Sequence, residues 1–139
     1  MKILIIDSDQ DIADSIDCEF KKAHYEVHYA ADGATGLTNA LEEQFDLIVL
    51  DWTLPKKDGL SVLKKLRRKK NWTPVLMLTG EDSLTDVILS LDAGANSCVT
   101  VPFEVPVLLA RMKALMRRSS WDREQELSRV ADFSTGLEF

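Results

Sequence analysis

The sequence predicts an α/β protein in which five parallel strands form one doubly wound sheet, and three features of the 139-residue chain carry that reading. Short runs of β-branched and leucine residues recur, each of strand length. Amphipathic stretches with apolar residues at helical spacing lie between them. The two kinds of segment alternate β-α five times, and that order implies a parallel sheet with helices on both faces and right-handed crossovers.

Lys2 to Ile6 is the first strand, and it ends in Asp7-Ser8-Asp9. From Gln10 to His24, Ile12, Ala13, Ile16 and Phe20 recur at helical spacing, with Asp11 and Asp14 in the first turn, where the helix dipole favours acids. In the second strand, Tyr25 to Ala30, Val27 and Tyr29 alternate with Glu26 and His28, the pattern of a half-exposed strand at a sheet edge. Asp32-Gly33 marks a turn, and Ala34, Leu37, Ala40 and Leu41 make a second amphipathic helix running to about Gln44. Leu47-Ile48-Val49-Leu50 reads as a fully buried third strand that stops at Asp51. Pro55 and Asp58-Gly59 are turn chemistry before a third helix that carries Leu60, Leu63 and Leu66. It ends in Lys64-Lys65-Leu66-Arg67-Arg68-Lys69-Lys70, read as a solvated cationic helix end rather than a nucleic-acid patch. Val75 to Leu78 forms strand four, ending in Thr79-Gly80. Helix four runs from about Ser83 to Asp92, with Gly94 as a left-handed exit, and Ser97 to Val101 is strand five. Helix five begins near Val105-Pro106 and places Leu108, Leu109, Met112, Leu115 and Met116 on its apolar face. Helix four carries Leu84, Val87, Ile88, Leu89 and Leu91, more apolar residues than one face can bury, so part of it is expected to face a partner.

A content of 45% hydrophobic residues supports one domain with an ordinary core, expected over 1–118, followed by a polar linker-like segment over 119–139. A formal net charge of −6 disfavours the chain as a whole as a nucleic-acid binder. Cys18 and Cys98 have neither C-x-x-C spacing nor nearby histidines, so both are expected as reduced, buried thiols, with Cys98 more plausible as inert packing than as a redox sensor. No apolar run approaches the roughly 20 residues of a membrane helix, and the expected location is the cytoplasm, with no membrane partner.

The chemistry is expected at the carboxyl edge of the sheet, where open α/β sheets place their ligands. With the first and third strands adjacent, Asp7, Ser8, Asp9 and Asp51 converge there, joined by the Thr79 hydroxyl from strand four. Clustered carboxylates raise one another's pKa and call for protons or a cation. Mg²⁺ held by one or two carboxylates, waters and a phosphate resolves the repulsion, and an aspartate beside such an ion can become an aspartyl phosphate.

Over about Lys2 to Arg118 the chain resembles the receiver domain of two-component response regulators, a (βα)5 fold of flavodoxin-like topology. The motifs that carry the likeness are ILIIDSD (Ile3–Asp9), LIVLDWTLPKKDG (Leu47–Gly59), LMLTG (Leu76–Gly80) and VPF (Val101–Phe103). The resemblance implies Asp51 as phosphoacceptor, Asp7 as an acidic-pocket residue, the Thr53 carbonyl as a metal ligand, Thr79 as the switch hydroxyl and Mg²⁺ as the metal. The ending ARMKALMRR (Ala110–Arg118) is similar to the OmpR-like subfamily. Such receivers dimerise through helix four, strand five and helix five, and carry a winged-helix DNA-binding domain that would begin where this chain stops.

Three positions depart from the pattern. Ser8 stands where the family has a second metal-binding acid, and is at most a weak substitute ligand, with Asp9 as a possible stand-in. Val101 replaces the lysine that precedes the strand-five proline, and Cys98 occupies the aromatic switch position. Losing a charge-assisted contact to a phosphoryl oxygen costs about 1.5–3 kcal/mol, which is roughly ten- to a hundredfold in the phosphorylated state. The resemblance therefore implies an atypical receiver that dimerises without phosphate. The alternative is a conventional Mg²⁺-dependent receiver phosphorylated on Asp51 by a sensor histidine kinase. A more distant alternative, a flavodoxin-like nucleotide or FMN binder, lacks a glycine-rich phosphate loop after the first strand.

Overall fold

The structure, a computed structural model, describes residues 1–80, 84–100 and 102–118. Strands and helices alternate as β1 (Lys2–Ile6), α1 (Gln10–Lys22), β2 (Glu26–Ala30), α2 (Gly33–Glu42), β3 (Leu47–Asp51), α3 (Gly59–Arg68), β4 (Val75–Thr79), α4 (Leu84–Asp92), β5 (Ser97–Thr100) and α5 (105–118). The expected helix start at Ser83, the Val101 position and the segment 119–139 lie outside the described residues.

All strand pairs are parallel, in the order β2-β1-β3-β4-β5. The connections run one way from β1 to β2 and the other way from β3 onward, so the winding reverses between β1 and β3. That is the position at which a doubly wound sheet opens a crevice beyond its strand ends.

Successive strand residues point to opposite faces, which splits the core into two layers. Ile3, Ile5, Leu47, Val49, Leu76 and Leu78 meet Ile16 and Phe20 of α1 and Leu108 and Met112 of α5. Leu4, Ile6, Ile48, Leu50, Val75 and Met77 meet Val62, Leu63 and Leu66 of α3 and Ala40 of α2. Full burial of each such side chain is worth about 1.5–3 kcal/mol, so the strands hold the sheet together whatever the loops do.

Two elements differ from expectation. On α2 the buried face is Gly33, Gly36 and Ala40, while Ala34 and Leu41 are exposed. The glycines are the reason: a Cβ at Gly36 would come within 2.6–2.7 Å of the Ile6 side chain, and one at Gly33 would collide with the Lys57 carbonyl. The helix therefore lies close against its neighbours through backbone. On β2, which is an edge strand as expected, Tyr29 is exposed and His28 is half-buried against the Phe45 ring at 5.4 Å. An edge strand has helices over only part of each face, so a strict in-out alternation does not follow.

α1 ends two residues sooner than expected, because His24 adopts a left-handed φ of 64°. Gly94, at φ 110°, makes the left-handed exit expected after α4. Among the described residues no helix is long and apolar enough to cross a membrane.

Candidate functional site

The register pairs Ile6 of β1 with Leu50 of β3, so the next residues, Asp7 and Asp51, leave the sheet side by side at its carboxyl edge. Asp7 is buried, and its Oδ2 has no protein donor. Its Oδ1 accepts the Asp9 N–H at 2.8 Å. Burial, followed by the charge of Asp51, pushes Asp7 up to about 7. Burial also raises Asp51, against the stabilising hydrogen bond from the Thr53 N–H at 3.4 Å. Asp51 raises Asp7 while Asp7 lowers Asp51, so of the two carboxyls Asp7 is the one that favours its proton.

Asp9 and Ser8 take other roles. The Asp9 carboxylate caps α1, accepting the Asp11 N–H at 2.9 Å, and both Asp9 and Ser8 are exposed. Its charge still raises both pocket acids. Thr79, the last residue of β4, is buried with its hydroxyl unpartnered. Its strand neighbour Leu78 pairs with Asp51, so the hydroxyl stands at the same sheet edge.

The loop after β3 is fixed through its backbone. The Trp52 N–H donates to the Leu78 carbonyl at 2.9 Å, and the Trp52 carbonyl accepts the Gly59 N–H at 2.8 Å. Asp58 caps α3 through the Ser61 N–H at 2.9 Å, and Asp32 caps α2 through the Thr35 N–H at 2.7 Å. Lys56, at φ 68°, brings its ammonium to 4.0 Å from Asp32, so that cation is directed toward α2. A Cβ on Gly59 would collide with the carbonyl oxygen of Asp51. Gly59→Ala is therefore expected to destabilise the fold by roughly 1–3 kcal/mol in urea unfolding, since the obstacle is backbone and cannot swing away. An unchanged midpoint would mean that the loop is looser than drawn.

A buried carboxylate oxygen without a donor, beside a second carboxylate, suits a hard cation. Asp7 and Asp51 would hold Mg²⁺, with the Thr53 carbonyl and waters completing an oxygen set. Bound there, the ion supplies positive charge for carboxylate and phosphoryl oxygens. Among the described residues no three carboxylate, imidazole or thiol groups cluster closely enough to hold an ion by themselves.

Reading by pattern missed Arg67, which it grouped with solvated cations. The guanidinium is half-buried, where burial lowers its pKa, and it donates to several backbone carbonyls at the opposite edge of the sheet. Its position one residue after the buried Leu66 was the available signal. Cys98 lies half-buried on β5, and burial pushes its thiol up, away from the reactive thiolate, whereas Cys18 is exposed rather than buried as expected, because the core face of α1 is Ala13, Ile16 and Phe20.

A paired-acid pocket and a buried hydroxyl thus meet at the switch point of a five-stranded parallel α/β sheet. The chain belongs to the response regulator receiver domain family, whose sequence model matches residues 3–113. It is 44% identical over 120 residues to the DNA-binding dual master transcriptional regulator RpaA of Synechocystis sp., covering 85% of this chain and 50% of that protein. It is 42% identical over 118 residues to the alkaline phosphatase synthesis transcriptional regulatory protein PhoP of Bacillus subtilis, covering 85% of this chain and 49% of that protein. Both relatives are transcriptional regulators by name, in keeping with the OmpR-like resemblance, and the chain spans about half their length. Among solved structures it is similar to the Francisella response regulator 1452 receiver domain, with TM-score 0.79, 35% identity, and 85% of this chain and 98% of that one covered. It is likewise similar to the Vibrio cholerae chemotaxis protein CheY4, with TM-score 0.73, 31% identity, and 82% and 97% covered.

Proposed function

We propose that this receiver is the signal-input and dimerisation module of an OmpR-like, DNA-binding transcriptional regulator in which phosphorylation of Asp51 is weak or dispensable. The observation that carries the reading is the acidic pocket. Among the described residues no cation is paired with Asp7 or Asp51, Asp9 is engaged in capping α1, and Ser8 brings no charge. Phosphorylating an aspartate replaces its single negative charge with about two, which adds to the charge already crowded at this edge. The domain signals rather than turns over a substrate. It acts in the cytoplasm, and DNA is bound by a winged-helix domain following this segment.

The dimer face is α4, β5 and α5. Leu84, Ile88 and Leu91 of α4 and Val107 of α5 are exposed, with Leu84 at 74%. Apolar side chains concentrated on one short helix are the mark of a contact surface. Untreated protein is expected to dimerise at micromolar concentration in sedimentation velocity, and Ile88→Glu to weaken the dimer at least about tenfold, because a charge would be buried without a partner. A strict monomer before any phosphoryl donor is added would overturn this reading.

A second reading, a conventional Mg²⁺-dependent receiver served by a sensor histidine kinase, is supported by Thr79, whose hydroxyl is buried at the same sheet edge as Asp51 with no partner among the described residues. The nucleotide or FMN reading loses its ground. The N-terminus of α1, where a phosphate would sit, is occupied by the Asp9 carboxylate.

A further inference from the structure

Arg67 is the buried charge that the acidic site does not use. Its Nε and Nη2 donate to the Gly94 carbonyl at 3.1 and 2.8 Å, and Nη2 also reaches Asn96 Oδ1 at 3.2 Å. Nη1 donates to the carbonyls of Asn71 and Thr73 at 2.8 and 2.9 Å. Its partners are thus backbone and amide oxygens from two places, the entry to β4 and the turn between α4 and β5. The Trp72 ring lies 5.9 Å from the guanidinium carbon. Asn96 continues the link, accepting the Val75 N–H through Oδ1 at 2.9 Å while its own N–H donates to the Val75 carbonyl at 2.9 Å. Gly94 is shaped to the contact. Its φ of 110° belongs to the left-handed side, and a Cβ there would stand 3.0 Å from Arg67 Cγ and Nε.

α4 needs such an external anchor. Ser90 is its one buried residue, whereas Leu84, Ile88, Leu89 and Leu91 are all exposed. A helix with its apolar side chains turned outward gains little from the core, so its placement depends on the turn into β5. A planar fork of five donors fixes carbonyls in direction as well as distance, which a lysine ammonium does not.

We propose that Arg67 is the positioning residue of the α4–β5 face. It clamps the C-terminal end of α4 from α3, and thereby holds the apolar stripe in a partner-ready orientation without any event at Asp51. This rests on the dimer reading above.

The test uses the 139-residue chain with Arg67→Gln and Arg67→Lys, and Val62→Ala as a core-cavity control. Hydrogen exchange of the α4 and Gly94–Asn96 amides is read alongside dimer dissociation. In Arg67→Gln those amides should exchange at least about tenfold faster, with β1 and β3 amides changed less than about twofold, the mark of local opening. Dimer dissociation should rise at least about tenfold, because a mobile α4 must be ordered on association. Arg67→Lys should fall between Arg67→Gln and the parent, and decides the matter if the glutamine variant does not fold. Val62→Ala should leave α4 exchange at the parental ratio to the sheet. Unchanged α4 exchange in both Arg67 variants, or acceleration spread evenly over the sheet, overturns the clamp. Faster α4 exchange with parental dimer affinity overturns its role in positioning the face. A monomeric parent overturns the dimer reading, and the exchange data then decide the clamp alone.

Discussion

Asp7→Asn is expected to be more stable than the parent protein at pH 8, by on the order of 3 kcal/mol, and about equally stable at pH 4. The cause is the buried carboxyl, whose pKa is pushed from 3.8 to about 7. Between those values the native state binds more protons than the unfolded chain, so stability falls as pH rises through the window and levels off above about 7. Below the window Asp7 is protonated in both states and costs nothing. An asparagine keeps the acceptor for the Asp9 N–H and places a neutral amide beside Asp51 in place of a buried charge. Asp32 and Asp58 act at the opposite end. Hydrogen bonds from Thr35 and Ser61 hold them below their ordinary value, so their contribution is lost as pH falls below about 4. Urea midpoints across pH 2 to 8 measure both limbs. Millimolar Mg²⁺ should raise the parent's midpoint at pH 8 more than that of the asparagine variant. A parent midpoint that is flat or rising from pH 5 to 7 would contradict the account of the pocket.

The second large effect concerns phosphotransfer. The parent protein, incubated with acetyl phosphate and Mg²⁺, is expected to show little or no phosphoryl adduct by intact mass. Ser8→Asp combined with Val101→Lys should raise the adduct by roughly ten- to a hundredfold, and adding Asp51→Ala should abolish it. The aspartate returns a charged metal ligand, and the lysine returns a cation for the phosphoryl oxygens. Ser8 is exposed, so an aspartate there meets solvent rather than the core. Stoichiometric adduct on the parent would favour the conventional receiver.

The sheet was legible because its strands are buried on both faces and read as uninterrupted apolar runs that end at Asp7, Asp51 and Thr79. β-α alternation implied a parallel sheet with helices on both faces, and the meeting of Asp7 and Asp51 followed once β1 and β3 were taken as neighbours, as the strand order has them. Three things were not legible, and each turns on contact rather than pattern. The close face of α2 belongs to Gly33 and Gly36, and glycine carries no periodic signal. Asp9 had two possible uses, as a ligand and as a helix cap, and only backbone geometry shows it in the second. Arg67 has the same composition signature as Lys64, Arg68, Lys69 and Lys70, which are exposed, while its own acceptors are carbonyls 4 to 27 residues away. Backbone acceptors have no letter in a sequence.

The central claim is that the α4–β5–α5 face works without an event at Asp51. Sedimentation velocity on the parent and on Asp51→Ala, each with and without acetyl phosphate and Mg²⁺, tests it most directly. The expected result is one micromolar dimer constant across all four samples, equal within about twofold. A monomeric parent that dimerises only after acetyl phosphate, with Asp51→Ala monomeric throughout, would contradict it.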